Sequence, residues 1–155
     1  MGPGIEVLWE DWADRTLGLP SYATPGSAGA DVRANLGPAM RALGLLLAPL
    51  QRALVPTGII LQIPPGYEAQ IRPRSGLALR HGLTLANAPG TIDSDYRGPL
   101  GILLVNLGAE PYLVSHGERI AQIVVAPVAQ ACFAVTDRVS ETARGAGGFG
   151  STGKD

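Results

Sequence analysis

Lysine is almost absent from this 155-residue chain: Lys154 stands alone against eleven arginines. Charged residues of both signs make up only 16%, and the net charge is -1 with no run of Lys and Arg. A chain without a basic stripe is not built to grip duplex nucleic acid. So little charge, against the typical ~25%, predicts a surface largely covered by partner subunits. The arginine excess fits a GC-rich coding sequence that also inflates Ala, Gly and Pro. Planar, bidentate phosphate recognition is a reading for particular arginines, not for the count.

Cysteine occurs once, which excludes an internal disulfide framework and a cysteine-rich zinc site. Cys132 lies in the apolar stretch Ala131–Val135, so a buried core thiol is expected rather than a nucleophile. The two histidines, His81 and His116, stand in turn-like contexts without a ligand set, and surface or structural roles are expected of them. No apolar run approaches the ~18 residues of a membrane span. The opening MGPGIEVLWEDW has no basic region leading into an apolar stretch. Together these predict a soluble, cytoplasmic protein with no membrane partner.

Glycine (21) and proline (13) are abundant, so turns are frequent and long helices scarce, which argues against a helical bundle or coiled coil. The length suits one domain with a sizeable core. Strand signals recur at short intervals: Ile5–Trp9, Val55–Ile63, Tyr67–Arg72, Leu100–Val105 and Arg119–Val128. Tyr67–Arg72 alternates apolar and polar, the mark of a strand with one wet face. Leu100–Val105 has no polar face, which suggests burial on both sides, as at a subunit interface. Ser75–His81 is the best short helix. The pattern is an all-β barrel or sandwich of short strands. The apolar segment 37–49 reads as a strand or a local interface, with no functional reading. A β domain over residues 1–136 is expected, followed by a flexible Gly-rich arm over 137–155 that cannot fold alone.

Five segments carry candidate chemistry. Thr24–Ala34 (TPGSAGADVRA) is a Gly/Ser loop entering a strand with Asp31 at the junction. Pro73–Gly82 (PRSGLALRHG) places Arg74, Ser75 and Gly76 at a helix start, offering a guanidinium, a hydroxyl and backbone N–H groups to an anion. The same residues also read as an ordinary Ser-Gly turn. Asn87–Gly101 (NAPGTIDSDYRGPLG) reads as a hairpin carrying Asp93, Asp95 and Tyr96, its acids either a metal pair or solvated turn residues. In Gly117–Val128 (GERIAQIVVAPV), Gln122 is the sole polar residue between Ile120 and Pro127. A buried amide there needs partners, either backbone groups or ligand oxygens. The tail ARGAGGFGSTGKD combines one aromatic, Phe149, with Arg144, Ser151 and Thr152, which suits ordering on a nucleotide.

These five segments, in this order and spacing, resemble the five motifs of the homotrimeric dUTP nucleotidohydrolases (dUTPases) from about Pro25 to Gly153. GTIDSDYRG and RGAGGFGSTG are the most specific. The resemblance implies a jelly-roll-like β-barrel subunit with one short helix, in a homotrimer whose three active sites are shared between chains, the arm closing a site of another subunit. It implies hydrolysis of dUTP to dUMP and pyrophosphate, limiting uracil in DNA and supplying dUMP for thymidylate synthesis. Mg²⁺ would be held mainly by substrate phosphates and water, with no protein side chain assigned as its ligand. Asp93 would be the general base that activates water for attack on the α-phosphate. Arg74, Ser75, Gly76 and Gln122 map to phosphate contacts. Asp31 maps to support of the metal's water shell or of the neighbouring chain, and Asp95 to support of the hairpin. Backbone groups around Gly90, Thr91, Ile92 and Gly101, with the Asn87 amide, would read uracil. Cytosine would leave buried groups unpaired, a discrimination of ~10⁴-fold or more. Tyr96 would pack under the deoxyribose. Arg144, Phe149, Gly150, Ser151 and Thr152 would close over the substrate, Phe149 stacking on the base.

The related dCTP deaminases share the fold and carry a glutamate at the position aligned with Leu103, where this chain has no ionisable side chain from Leu100 to Val105. That argues against deamination. A dUTPase-like binding module without catalysis is the other alternative, and nothing in the motifs is degraded to favour it.

Overall fold

The computed structural model describes residues 2–148. Eleven strands and one helix follow in order: β1 (Glu6–Trp9), β2 (Ser21–Tyr22), β3 (Ala30–Arg33), β4 (Leu45–Leu47), β5 (Arg52–Gln62), β6 (Tyr67–Pro73), α1 (Ser75–His81), β7 (Leu83–Leu85), β8 (Gly90–Ile92), β9 (Pro99–Asn106), β10 (Tyr112–Val114) and β11 (Arg119–Pro127). They form a four-stranded sheet, β1-β5-β9-β7, a five-stranded sheet, β2-β3-β11-β6-β8, and a two-stranded β10-β4 pair. All recorded pairings are antiparallel. The pairing does not close into a single barrel; the sheets form a jelly-roll-like all-β fold.

Period-two alternation builds the core. Along β9, Leu100, Ile102 and Leu104 are buried, and they join Val55, Ile59 and Leu61 of β5 and Ala69 and Ile71 of β6 in one apolar cluster. The other face of β9, Gly101, Leu103 and Val105, is half-buried within the single chain. In β5, Gly58 has φ +71° and marks a register shift between Pro56 and Ile60. A left-handed glycine at such a bulge is the residue that tolerates it. Segment 37–49 resolves into a short 3₁₀ turn at Pro38–Met40 and β4, with Leu43 and Leu46 exposed and Leu47 in the core.

Buried polar groups are satisfied. The Asn106 amide donates to the carbonyls of Leu47 (2.9 Å) and Glu110 (2.8 Å) and its oxygen accepts from Gly108 N–H (2.9 Å). Both histidines are structural. His116 Nδ1 accepts from Leu36 N–H (3.0 Å), so the ring's other nitrogen is the donor, to Asp14 Oδ2 (3.1 Å). The His81 ring packs against Tyr112 with centroids 4.9 Å apart.

Two expectations are corrected. Cys132 is exposed, not a core thiol. The last strand ends at Pro127, and the segment beyond it carries its apolar side chains into solvent, Phe133 and Val135 being 96% and 101% exposed. Local hydrophobicity favours burial but cannot supply a surface to bury against. Asn87–Gly101 is not a ladder hairpin: β8 pairs with β6 and β9 with β5 and β7, so the Asp93–Gly98 connection crosses between sheets. Among the described residues no helix is long and apolar enough to cross a membrane.

Asp14 supplies a pH test of the fold. The Thr16 hydroxyl, then His116, then the Thr16 backbone N–H hold its carboxyl down at about 2, against an ordinary 3.8. A depressed native value means the contribution is fully present above about pH 4 and is lost as pH falls through 2. The stability difference between the unmutated protein and Asp14→Asn, read from urea midpoints, is expected to shrink as pH falls from 4 towards 2.

Candidate active site

Strand β6 is the spine of the site. On one side it pairs with β8, Ala69 opposite Ile92, Gln70 opposite Thr91 and Ile71 opposite Gly90. On the other it pairs with β11, Arg72 opposite Gln122. The chain leaves β6 at Pro73 directly into Arg74 and α1.

At one end of this spine lies a cavity of about 200 Å³ lined by Leu54, Thr91, Ile92, Asp93, Tyr96, Pro99, Leu100 and Gly101. Gly90 is buried, and the Asn87 side-chain amide lies so close that a Cβ at Gly90 would stand 3.1 Å from its nitrogen. Asp93 is exposed at the exit of β8. The turn that follows is tied by Tyr96 N–H donating to Asp93 C=O (3.2 Å). It is tied again by Arg97 Nη1, which donates to the carbonyls of Ser94 (2.7 Å) and Tyr96 (2.8 Å). Asp93 also borders a second cavity of about 690 Å³, shared with Glu68, Asp95 and Ser94. A recess of mixed polar and apolar lining, edged by backbone and with a solvent-facing carboxylate at its rim, can hold a planar ring and activate water beside it.

At the other end the carboxylate of Asp31, itself buried, is shared by two arginines. Arg74 Nε donates to Oδ1 (3.1 Å) and Arg119 Nη1 to Oδ2 (2.9 Å), while Arg74 Nη1 also donates to Arg119 C=O (2.9 Å). Two guanidinium groups on one carboxylate leave one positive charge in excess, which suits an anion. Each Asp31 oxygen thus accepts from one arginine. Ser75 and Gly76 open α1, and their N–H groups precede the first that bond back to Arg74 C=O, those of Leu77 and Ala78. Gln122 is half-buried rather than buried, with its amide against Gly29.

The two ends do not meet within one chain. Asp93 follows Ile92, which pairs with Ala69, so it falls level with Glu68 on β6. Arg74 lies six positions further along. At ~3.3 Å per residue this separates the two backbone positions by roughly 20 Å along the strand. Arg144 is exposed in a turn, its Nε donating to Gly147 C=O (2.9 Å). Phe149, Gly150, Ser151 and Thr152 lie outside the described residues.

Three residues at these sites were not picked out from the sequence. Leu54, on β5, lines the smaller cavity and covers Gly101, but nothing local to ALVPT signals it. Arg119 sits two residues past the turn in GERIAQ, where an arginine three residues from Gln122 was a usable hint. Arg80 lies over Gly76, one turn along the same helix, where a Cβ would stand 3.0 Å from its Nη2.

The dUTPase family model matches residues 16–153. The deoxyuridine 5'-triphosphate nucleotidohydrolase of Dinoroseobacter shibae is 66% identical over 150 residues, covering 97% of each chain. That of Roseobacter denitrificans is 60% identical over 153 residues, again 97% of each. Among solved structures, the dUTPase of Staphylococcus bacteriophage 80alpha with dUpNHpp has a TM-score of 0.81 at 26% identity, covering 97% of this chain and 98% of that one.

The Asp31 bridge has a measurable weight. Breaking a fully buried pair costs about 3–5 kcal/mol. With the Arg74 and Arg119 side chains 25% and 45% exposed, Asp31→Asn is expected to cost about 1–2 kcal/mol in urea unfolding. An unchanged midpoint would show that the bridge adds nothing to stability.

Proposed function

The chain belongs to the dUTPase family, and on that basis we propose that it hydrolyses dUTP to dUMP and pyrophosphate in sites shared between the subunits of a homotrimer. It is an enzyme, a dUTP diphosphatase. One observation carries the mechanistic reading: the 200 Å³ recess bounded by the Gly90–Ile92 and Pro99–Gly101 backbone, with Asp93 at its rim and Tyr96 beside it.

Uracil enters the recess and pairs with backbone groups of Gly90, Thr91, Ile92 and Gly101, assisted by the Asn87 amide. Peptide donors and acceptors cannot exchange roles, so cytosine leaves them unpaired in a buried place. Tyr96 seats the deoxyribose. Asp93 accepts a proton from a water aligned with the α-phosphorus. The water oxygen bonds to that phosphorus as the bridge to the β-phosphate breaks, and pyrophosphate leaves with the bonding pair. Arg74, Ser75, Gly76 and Gln122 bind the phosphates, with Asp31 and Arg119 holding Arg74 in place. Arg144 and the segment 149–152 close over the bound nucleotide, Phe149 stacking on the base. In the cell this reaction lowers the dUTP available for incorporation into DNA and provides dUMP for thymidylate synthesis.

Magnesium fits the donor set as a substrate-borne ion. Glu68, Asp93 and Asp95 line the larger cavity, hard oxygen donors of the kind that suit this ion and its water shell. Mg²⁺ keeps several waters and takes its direct ligands from phosphates in such settings. When bound, it neutralises charge on the phosphate oxygens and the leaving pyrophosphate.

A site shared between chains is supported by the roughly 20 Å of backbone that separates Asp93 from Arg74 along β6. The exposed apolar side chains of Phe133 and Val135 are consistent with a surface that meets another subunit.

Pyrophosphate release from a panel of nucleoside triphosphates with Mg²⁺ tests the reading: dUTP should turn over and dCTP, dTTP and UTP should not. Equal cleavage of dUTP and dCTP, or of neither, overturns it. Asp93→Asn is expected to lose turnover by about 10²–10⁴-fold while still binding dUTP in calorimetry. Mixing inactive Asp93→Asn subunits with inactive Arg74→Ala subunits, then refolding them together, should restore part of the activity. No recovery would place each complete site within one chain.

A further inference from the structure

Gly98 stands where the connection between β8 and β9 turns back, and its missing side chain is filled by another residue. A Cβ built there would meet Tyr96 Oη and lie 2.5 Å from Tyr96 Cζ and 2.9 Å from Cε2. Gly98 is not among the positive-φ glycines, so its backbone would accept an L side chain. What an added methyl would disturb is the phenol ring. That ring folds back along its own turn, its hydroxyl donating to Pro99 C=O (3.2 Å), and so lines the recess from a fixed position. Meanwhile the Arg97 guanidinium clamps the Ser94 and Tyr96 carbonyls. With the backbone tied, a clash at Gly98 is relieved chiefly by rotating the Tyr96 side chain away from Pro99.

We propose that Gly98 is a positioning residue for sugar recognition: by leaving room for the Tyr96 ring against the backbone, it sets the depth of the seat that accepts deoxyribose and rejects ribose. The proposal rests on the reading above that Tyr96 seats the deoxyribose of dUTP. Asp93, five residues earlier on the exit of β8, keeps its place when the ring moves. The effect therefore falls on binding and sugar selectivity rather than on the chemical step.

Gly98→Ala is expected to raise KM for dUTP roughly 10-fold, as loss of binding shared by ground and transition states does. Its kcat should stay within about threefold, while the preference for dUTP over UTP falls and thermal unfolding is little changed. In a Tyr96→Ala background the same glycine substitution should move KM by less than about twofold, because the residue it acts through is gone. An unchanged KM and sugar preference in Gly98→Ala overturns the proposal, as does an equal effect in the Tyr96→Ala background. Should Gly98→Ala fail to fold, the Gly98→Ala/Tyr96→Ala double variant supplies the second reading: removing the ring should restore folding, and a double variant that also fails to fold overturns the proposal. Failure of the unmutated protein to hydrolyse dUTP would instead defeat the functional reading, so the two failures are distinguishable.

Discussion

Antiparallel pairing along β6 is the constraint on which the site depends. The ladder with β8 fixes Thr91 and Asp93 at one end, the ladder with β11 fixes Gln122, and the strand's own continuation delivers Arg74 and Ser75 at the other. Hydrogen-bond register leaves no freedom to slide one set towards the other, because a slip of one residue would turn every inward side chain outward. The recess and the arginine pair are each well organised and held apart by the same strand.

Each end is organised by a different kind of interaction. The arginine end is electrostatic: a buried carboxylate divides itself between two guanidinium groups and leaves them oriented with charge to spare. The recess end is steric and backbone-based. Gly90, Gly98 and Gly101 each admit a neighbouring side chain, Asn87, Tyr96 and Leu54 respectively, into the space a Cβ would take. Selection of a planar base suits that second kind, since peptide groups hold their donor and acceptor pattern whatever the pH. Phosphate binding suits the first, since it needs charge more than shape.

Much of the architecture was legible in the pattern of residues. Alternation located β6, apolar runs located β5, β9 and β11, and α1 occupies the predicted Ser75–His81, closed by Gly82 in the left-handed region at φ +66°. The misreadings share a cause. Cys132 sits in an apolar stretch, and Asn87–Gly101 has turn residues between two strand-like runs, so local rules favour a core thiol and a hairpin. Burial and strand partnership are settled by segments distant in sequence, and here those segments send the chain past the last strand in one case and into a second sheet in the other.

Residue patterns along the chain were enough to reveal the family and the all-β character. Motif residues are short-range objects, and their order along the chain is preserved whatever the packing. Tertiary structure alone decided that Asp31 serves Arg74 and Arg119, that Leu54 walls the recess, and that Tyr96 lies against Gly98. It also set the distance along β6 that separates the carboxylate from the arginines. These are contacts and distances between residues whose proximity depends on strand register and sheet crossing, and neither is written in any local window of the chain.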